Sequence, residues 1–548
     1  MSIIPVVIVG GGPVGLSLAT ELGAHGVECL LLEKGSGANH HPRANVVAAR
    51  TMEFFRRWGI AERVAETGLP DDYPTEIIFT NRIKDEELFR FSFPTQAGAR
   101  LHPSDASMLA SPYFKTSAGQ DGVEQVLRQH VATLKSVTVR YNANIVATQE
   151  KPDCVELTVE NGDSGQRQVI RARYVAACDG GKSAIRTQLD IGMTGKSDLG
   201  RFVSIYIKSP EFNKRHNKGF ATLYWALNDH APGIFIAIDG KERFTFQRSL
   251  RPDEDGSSIE PNTAIRDAFG GDLQFEILSV QPWRAHALVA DRYRHGRYFL
   301  AGDAAHLFVP TGGFGMNTGI GDSVDLGWKL AAVVNGWGGE QLLDSYEFER
   351  RPIAVRNTSE AADNYLAIMP AFRDAATLPA EPSARAAGIA KLTEDLTKQR
   401  KHFSATGIHL GYRYENSPVC WHDGSPATAD DPQIYVPTTR PGSRAPHSWL
   451  SENRSTIDLF GLGFTLVVVD AGDPERAAAR SFASKAPFPI KVEVVGGDEI
   501  RKLYQVSFVL VRPDGMVAWR GMQLPDNPHP LFDVVRGVHS SAKVAAVS

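Results

Sequence analysis

The sequence predicts an α/β protein in which a parallel sheet is interrupted by a second sheet and followed by a small C-terminal domain. Three observations predict it. The apolar run at residues 6–9 enters closely spaced glycines, as a buried parallel strand entering a tight turn does. Two later apolar runs also stop at a glycine and an acid, Asp179 and Asp303. Between them, residues 202–249 alternate apolar and polar side chains, which is typical of a sheet with one covered face.

Length and composition limit the functional classes. The 548 residues are enough for roughly two to four domains. The net charge of −4, from 59 basic and 63 acidic residues, indicates no nucleic-acid surface. No apolar run reaches the ~18–20 residues of a membrane span, and the N-terminus lacks a basic leader. We therefore expect a cytoplasmic protein that binds neither nucleic acid nor membrane.

The four cysteines are far apart and have no CxxC spacing (Cys29, Cys154, Cys178 and Cys420). Zinc sites and disulfide frameworks both need closer or patterned cysteines. The sequence therefore predicts small buried thiols and no metal site.

The first strand leads into a nucleotide-binding pattern. Gly10, Gly12 and Gly15 have the G-x-G-x-x-G spacing, with Pro13 at the start of the following helix. The next strand ends in Glu33, 33 − 15 = 18 positions after the last glycine. Such glycines let the backbone and the helix amino end approach a pyrophosphate, while the acid accepts hydrogen bonds from a ribose. The pattern predicts an adenine dinucleotide without distinguishing FAD from NAD.

The spread of the motifs distinguishes the two cofactors. Strand ends with glycine and an acid occur in residues 1–35, 174–186 and 297–330. An NAD domain would be complete within ~150 contiguous residues. A nucleotide domain interrupted by other chain indicates a large FAD fold.

In these segments the chain resembles the FAD-dependent aromatic hydroxylases, the single-component flavoprotein monooxygenases, and its general pattern is similar to that of nitrocatechol monooxygenases. The resemblance covers most of residues 1–420. It rests on the glycine pattern and on the segments "HPRA" (41–44), "RTMEF" (50–54), "CDGGKSAIR" (178–186), "GDAAH" (302–306), "DLGWKLA" (325–331) and "YEFERRP" (346–352).

The resemblance implies a discontinuous FAD-binding Rossmann-like domain of the p-hydroxybenzoate hydroxylase type, formed by residues 1–77, 111–189 and 286–365. Residues 78–110 and 190–285 would form an interleaved β-rich substrate-binding domain. A helical segment and linker would follow at 366–434, where the composition becomes rich in Pro, Asp and Thr. Residues 435–548 resemble a thioredoxin-like domain, and the lack of CxxC argues against a redox role for it.

The resemblance also implies which residues contact FAD. Asp303 would hydrogen-bond the ribityl chain, and Arg43 and Gln120 would contact the pyrophosphate or ribityl region. Asp179 would support FAD or the visiting nicotinamide cofactor. Gly315, Met316 and Asn317 would lie at a helix amino end that faces the pyrimidine edge of the flavin, where its dipole favours negative charge. His306 is expected to be structural.

Similar enzymes reduce the flavin with NADH or NADPH, and a C4a-hydroperoxyflavin formed with O2 then hydroxylates a phenolic or catecholic ring. We therefore expect a small aromatic substrate and O2 as reaction partners. A single dinucleotide pattern predicts that NAD(P)H has no Rossmann domain of its own. A homodimer is left open.

The position of the catalytic base departs from the resemblance. Phenol-type relatives tend to have His or Asp after the Arg–Ala pair, where this chain has Asn45. Asparagine cannot accept a proton at neutral pH, although it can hydrogen-bond a phenolate. Another base could act, with His286, Tyr206 and Tyr224 as candidates. Alternatively, an acidic substrate such as a nitrocatechol arrives ionised, and hydroxylation releases nitrite and leaves a quinone.

Pro310 is predicted to form the pocket wall nearest the chemistry, and Phe246 is a further pocket candidate. Three alternatives stay open at this point: a hydroxylase of another phenol or polyketide-type aromatic, an FAD oxidoreductase that inserts no oxygen, and an FAD-binding sensor or structural protein.

Overall fold

The computed structural model describes residues 2–39, 41–103 and 106–538. The final residues of the predicted C-terminal domain, 539–548, lie outside the described residues. The strands, in chain order, are β1 (Ile4–Val9), β2 (Cys29–Leu32), β3 (Val46–Val47), β4 (Thr75–Thr80), β5 (Glu87–Phe93), β6 (Thr116–Ser117), β7 (Val137–Arg140), β8 (Ala143–Glu150), β9 (Val155–Asn161), β10 (Arg167–Ala177), β11 (Met193–Lys208), β12 (Leu223–Ala226), β13 (Gly233–Ala237), β14 (Arg243–Ser249), β15 (Glu276–Ala290), β16 (Arg294–His295), β17 (Tyr298–Leu300), β18 (His306–Leu307), β19 (Trp449–Ser451), β20 (Arg454–Ser455), β21 (Phe464–Val469), β22 (Ile490–Val495), β23 (Phe508–Val511) and β24 (Val517–Gly521).

The helices, in chain order, are α1 (Pro13–Ala24), α2 (Ala49–Arg57), α3 (Ala61–Ala65), α4 (Gln96–Leu101), α5 (Gln120–Val131), α6 (Ala184–Gln188), α7 (Pro261–Phe269), α8 (Phe314–Val334), α9 (Glu340–Ala376), α10 (Pro382–Thr397), α11 (Thr406–Leu410), α12 (Asp473–Ser484), α13 (Asp498–Tyr504) and α14 (His529–Val535).

The first sheet has the strand order β16-β17-β10-β1-β2-β7, with β8 and β9 attached to one side of β10. The strands β17, β10, β1, β2 and β7 run parallel. Their carboxyl ends therefore lie at one edge of the sheet. This edge brings together the glycine turn after β1, Glu33 after β2, Asp179 after β10 and Asp303 after β17, in the crevice where open α/β sheets bind ligands. The predicted α/β fold is confirmed.

The second sheet has the order β18-β15-β11-β14-β13-β12-β4-β5 and is largely antiparallel. Both of its faces are covered along β12 to β14. One face packs on α7 around Phe212 and Phe269, and the other packs on the end of α9 and on α10. The second face continues toward the first sheet through Phe202 and Trp283, whose rings stack at 4.3 Å. This sheet therefore has one purely structural face and one face that borders the crevice.

The C-terminal sheet has the order β22-β21-β23-β24, with β21 and β22 parallel and the other neighbours antiparallel. Helices α12 and α13 follow β21 and β22, and α14 follows β24. This order is the thioredoxin-like arrangement that the sequence predicted. The predicted hairpin at Pro513, Asp514 and Gly515 joins β23 to β24.

Two buried ionic clusters join the C-terminal domain to the first sheet's helices. In one, Arg512 donates to Asp325 of α8 at 2.9 Å and to Glu349 of α9 at 2.6 Å. In the other, Glu53 of α2 accepts from Arg444 at 3.0 Å and from Arg50 at 2.7 Å. All six side chains are buried. Much of "RTMEF", "DLGWKLA" and "YEFERRP" therefore serves this junction.

Candidate functional site

The glycine turn after β1 leaves the amino end of α1 open. A Cβ on Gly10, where φ is +107°, would lie 2.3 Å from the Cys178 carbonyl oxygen, and one on Gly15 would lie 2.0 Å from the Gly10 carbonyl oxygen. A Cβ on Gly12 would meet nothing within 4 Å, and no side chain caps the helix. Gly10 and Gly15 are thus required by close packing. Gly12 faces free space at the positive end of a helix dipole, which fits a pyrophosphate.

Glu33 supports this turn from the end of β2. Its carboxylate accepts hydrogen bonds from the backbone amides of Gly11 at 2.6 Å and Gly35 at 2.7 Å. Each carboxylate oxygen has a second acceptor site. Glu33 is therefore held in place with capacity left for a ribose hydroxyl.

Asp303 and Arg43 are the charged groups of the crevice. Neither has a hydrogen-bond or ion-pair partner within the described ranges, and both residues are exposed. The enclosing protein raises the pKa of Asp303, while the charges of His306 and Arg43 oppose that shift. Because both residues are exposed at the ends of the parallel strands, their charged groups are accessible to a ligand. Asp303 and Arg43 therefore fit the ribityl hydroxyls and phosphates of FAD.

A sharp bend precedes helix α8. Gly312 and Gly313 have φ values of +82° and +67°, and a Cβ on Gly313 would lie 2.8 Å from Val46. The helix begins at Phe314, two residues before the predicted start at Met316, and no side chain caps it. Its amino end, including Gly315, is therefore open to a ligand, as the flavin site requires.

The Asn317 side chain is used by the protein. Its amide nitrogen donates to the carbonyls of Val46 at 2.9 Å and Gly313 at 2.7 Å. Its oxygen accepts from the Ala48 amide at 2.8 Å and the Thr51 hydroxyl at 2.7 Å. Asn317 thus fixes the segment after Asn45 against the bend, and the side chain has no free donor for a cofactor.

Two further predicted cofactor residues are tied to neighbouring elements. The Gln120 amide donates to Glu124 at 2.7 Å. One Asp179 oxygen accepts from the Ala184 amide at 2.9 Å, and the other is buried without a partner. Asp179 therefore keeps an acceptor for a ligand group.

Arg186 donates to the carbonyls of Ala304 and Gly181, both at 2.9 Å. It links the turn after β10 to the turn after β17. Both terminal guanidinium nitrogens donate to backbone carbonyls, so the geometry supports a positioning role.

A buried triad fixes the glycine before Asp303. Asp322 of α8 accepts from His306 Nε2 at 2.6 Å, from Arg350 Nε at 2.8 Å and from the Gly302 amide at 3.2 Å. His306 is structural, as expected. Asp322 and Arg350 were missed because no spacing rule relates positions 28 residues apart on two helices.

Asn45 and Pro310 lie beside the bend. Asn45 is half-buried, its side chain has no partner within the described ranges, and β3 begins at the next residue. Pro310 is exposed, and its carbonyl accepts from the Gly313 amide at 3.4 Å. Because Gly313 touches Val46, the structure brings the two predicted catalytic segments together.

Tyr224 and Phe246 were wrongly predicted to line the pocket. Tyr224 and Phe246 are the cross-strand neighbours of Phe235, so all three side chains lie on the face of the sheet that packs against α7. Both predicted residues are fully buried there. Tyr224 donates to the Gly219 carbonyl at 2.7 Å, and Phe246 stacks on Phe235 at 4.4 Å. Successive strand residues face opposite sides, so Gln247, one position along, borders the crevice instead.

Tyr206 and His286 gain no support as bases. The Tyr206 hydroxyl lies 3.1 Å from Arg243 NH1, and burial raises the pKa of Tyr206 despite that cation. His286 Nδ1 accepts from the Asp198 amide at 3.1 Å in an exposed part of the β11–β15 pair.

His41 was missed by the sequence reasoning. Its Nδ1 lies 2.7 Å from Ser279 Oγ and its Nε2 lies 2.7 Å from Ser204 Oγ. Gln247 donates to Ser204 at 2.7 Å and accepts from Trp283 at 3.1 Å. This chain joins the "HPRA" segment to the crevice face of the second sheet. Burial and the nearby Arg43 lower the pKa of His41, so the ring is neutral near pH 7.

The described residues also bear on membrane insertion and on metal binding. No helix there is long and apolar enough to cross a membrane. No group of three or more His, Cys, Asp or Glu side chains is placed there to hold a metal ion.

Comparisons with known proteins agree with this geometry. Residues 4–361 match the family model described as an FAD binding domain, and residues 438–539 match the one described as the C-terminal domain of aromatic-ring hydroxylases. A putative polyketide hydroxylase of Streptomyces halstedii is 34% identical over 95% of this chain and 94% of its own. The 4-methyl-5-nitrocatechol 5-monooxygenase of a Burkholderia species is 32% identical over 98% of this chain and 97% of its own.

A solved structure of the rebeccamycin biosynthetic enzyme RebC with reduced flavin is similar over the whole fold. The TM-score is 0.86 and the identity 34%, covering 97% of this chain and 99% of that one. Such agreement extends from the first sheet through the C-terminal domain. The predicted flavin dependence and enzyme class are confirmed.

Proposed function

The chain belongs to the family of FAD-dependent aromatic-ring monooxygenases, and from this premise we propose that it hydroxylates a phenolic or catecholic ring at the expense of NAD(P)H and O2. When bound, FAD would take electrons from NAD(P)H and supply one oxygen atom of O2 to the ring. The second oxygen atom leaves as water. The remaining work, which is binding, orientation and exclusion of solvent, falls to the residues of this chain.

The residues that would hold FAD form one edge of the first sheet. The α1 amino end at Gly12 and the Arg43 guanidinium would receive the pyrophosphate, Glu33 the ribose, and Asp303 the ribityl chain. The uncapped start of α8 would face the ring. The unpartnered Asp303 and Arg43 are the observation that best supports this assignment.

We propose that the substrate is an acidic phenol, with nitrocatechols as the leading class. Asn45 carries this proposal, because it stands beside the bend in the position where relatives tend to have a base. An amide can hydrogen-bond a phenolate but cannot remove its proton near pH 7. A nitro group acidifies the phenol, so the ring arrives already activated.

With a nitrocatechol, hydroxylation at the nitro-bearing carbon forms a C–O bond and breaks the C–N bond. Nitrite and a quinone leave, NAD(P)H is oxidised, and O2 supplies one atom to the ring and one to water. The relative named as a nitrocatechol monooxygenase supports this class. A polyketide-type aromatic is the second candidate, supported by the relative named as a putative polyketide hydroxylase.

A substrate panel tests the proposal. Holoenzyme is mixed with NADH or NADPH and with phenol, catechol, 4-nitrophenol, 4-nitrocatechol and a polycyclic phenol, and NAD(P)H oxidation, nitrite and ring products are followed. We expect fastest turnover with 4-nitrocatechol and nitrite release matching NAD(P)H consumed. Equal turnover of phenols regardless of their acidity would contradict the acidic-phenol proposal, and preference for the polycyclic phenol would favour the second candidate.

A further inference from the structure

Lys115 is an enclosed cation without a carboxylate partner. Its ammonium donates to the Phe403 carbonyl at 2.8 Å, and no ion pair to it occurs within residues 2–39, 41–103 and 106–538. The side chain keeps some accessible surface although protein surrounds it. Burial lowers the pKa of Lys115 to about 8, so most molecules still carry the charge at pH 7.

The titratable neighbour of Lys115 cannot neutralise it. His409 of α11 has its Nε2 buried without a partner. Burial and the charge of Lys115 lower the pKa of His409 to about 3, so the imidazole is neutral. A buried charge without compensation is costly, and proteins normally pair it. Lys115 is partly accessible and its ammonium has no carboxylate partner in the described residues, so it is available to an anionic group of a ligand.

Lys115 lies near two parts of the proposed site, and its carbonyl partner contacts the second sheet. It directly precedes β6, which pairs with β3, the strand that follows Asn45. The His409 ring packs edge-on against Phe314, the first residue of α8 after the bend, at 5.8 Å. Phe403, whose carbonyl holds the ammonium, packs on Phe91 of the second sheet at 5.5 Å.

We propose that Lys115 is the counter-cation of an anionic aromatic substrate, binding the phenolate oxygen or an acidic substituent of the ring. This inference rests on the proposed function and deepens it. It explains how a site without a base at Asn45 can still use an ionised phenol. The phenol loses its proton to water before or on binding, the ammonium keeps its own, and no bond is made or broken by Lys115.

Substitution of Lys115 in the flavin-loaded enzyme tests this inference. Oxidised holoenzyme, without NAD(P)H, is titrated with 4-nitrocatechol and with catechol. The visible spectrum of nitrocatechol reports whether the bound molecule is ionised. Lys115→Met removes the charge at similar length, Lys115→Arg keeps it, and Lys391→Met removes an exposed lysine of α10 as a matched control.

We expect Lys115→Met to weaken 4-nitrocatechol binding by about 10- to 100-fold, as loss of a charged hydrogen bond does, with little change for catechol. The apparent pKa of bound nitrocatechol should rise in this variant, Lys115→Arg should restore most of the difference, and Lys391→Met should match the natural enzyme.

Three results would overturn the inference. Equal weakening for both ligands would indicate that Lys115 only holds the Phe403 loop. Unchanged nitrocatechol binding and an unchanged spectrum in Lys115→Met would show that Lys115 does not bind the substrate anion. If this variant still turns over nitrocatechol, the proposed function itself would stand. Failure of the natural enzyme to bind or turn over any phenol would overturn both the inference and the proposed function.

Discussion

Asp303 and Arg43 are the residues whose state most directly indicates a ligand. Both are exposed at the edge where the parallel strands end, and neither has a partner in the described part of the chain. An acceptor and a cation thus lie at the same edge of the sheet as an uncapped helix. In the proposed site, the hydroxyls and phosphates of a dinucleotide would supply the partners of both groups.

Two adjacent residues of β14 are expected to have different roles, Phe246 in folding and Gln247 in substrate binding. Phe246→Ala should lower the free energy of unfolding by about 3–5 kcal/mol, because it opens a cavity in the fully buried face. Gln247→Met should cost under about 1.5 kcal/mol but raise the phenol dissociation constant by roughly tenfold, because it breaks the link from Ser204 to Trp283. Denaturant unfolding and ligand titration measure the two effects. Larger loss of phenol affinity in Phe246→Ala would contradict the assignment of faces.

Residue roles were predictable where spacing alone fixes them. Gly10, Gly12 and Glu33 follow from one strand–turn–helix unit, so local sequence was sufficient. The face on which each residue of β12 and β14 lies could not be predicted. Apolar clusters cover both sides of the sheet, so the alternation of side chains does not indicate which face borders the crevice. His41 was missed because its partners, Ser204 and Ser279, are 163 and 238 positions away.

At the scale of elements, two helix amino ends would form the proposed cofactor site. Both α1 and α8 follow glycine turns and lack side-chain caps. Free backbone amides and helix dipoles at these ends favour the negative charge of a pyrophosphate and of a reduced flavin. Helix α1 was predictable from its fingerprint. The start of α8 was placed two residues late because Phe314 gives no boundary signal.

Two alanine substitutions in the turn before α1 should separate packing from ligand binding. Gly12→Ala should leave the melting temperature of the apoprotein nearly unchanged, because the added Cβ meets nothing within 4 Å. The same Cβ would occupy the space through which the pyrophosphate approaches the helix, so FAD binding should weaken by about tenfold or more. Gly15→Ala should destabilise the fold itself, because its Cβ would lie 2.0 Å from the Gly10 carbonyl oxygen. Calorimetry and flavin fluorescence titration check both. Unaltered FAD affinity in Gly12→Ala would place the pyrophosphate elsewhere.

For the whole molecule, the C-terminal domain is held by buried charges rather than by the apolar contacts alone. Glu53 contacts Arg444 from a position 391 residues away, and Asp325 contacts Arg512 across 187 residues. The sequence predicted the fold of this domain from its own strands. It could not predict the junction, because no local pattern identifies the partner of a charge so distant in the chain.

The junction should make stability depend on pH. Burial alone would raise the pKa of Glu53, but Arg444 and Arg50 overcome that effect and lower it to about 2. Because the folded pKa lies below the ordinary value of 4.5, this carboxylate stabilises the protein above pH ~4.5 and loses that contribution as the pH falls toward 2. We expect this group to account for a loss of about 2 kcal/mol in the free energy of unfolding between pH 6 and pH 3, measured by denaturant unfolding. In Glu53→Gln the free energy of unfolding should depend less steeply on pH. An equally steep dependence in that variant would show that other carboxylates cause the effect.

In the proposed function, FAD is bound in the crevice beside the first sheet and one oxygen atom of O2 is transferred to an aromatic ring. Turnover of 4-nitrocatechol with NAD(P)H under ¹⁸O2, followed by mass spectrometry of the reduced ring product, measures this transfer. We expect one ¹⁸O atom per product molecule, with nitrite released in equal amount. NAD(P)H oxidation that yields only hydrogen peroxide, with no labelled product from 4-nitrocatechol or from any other phenol of the panel, would contradict it.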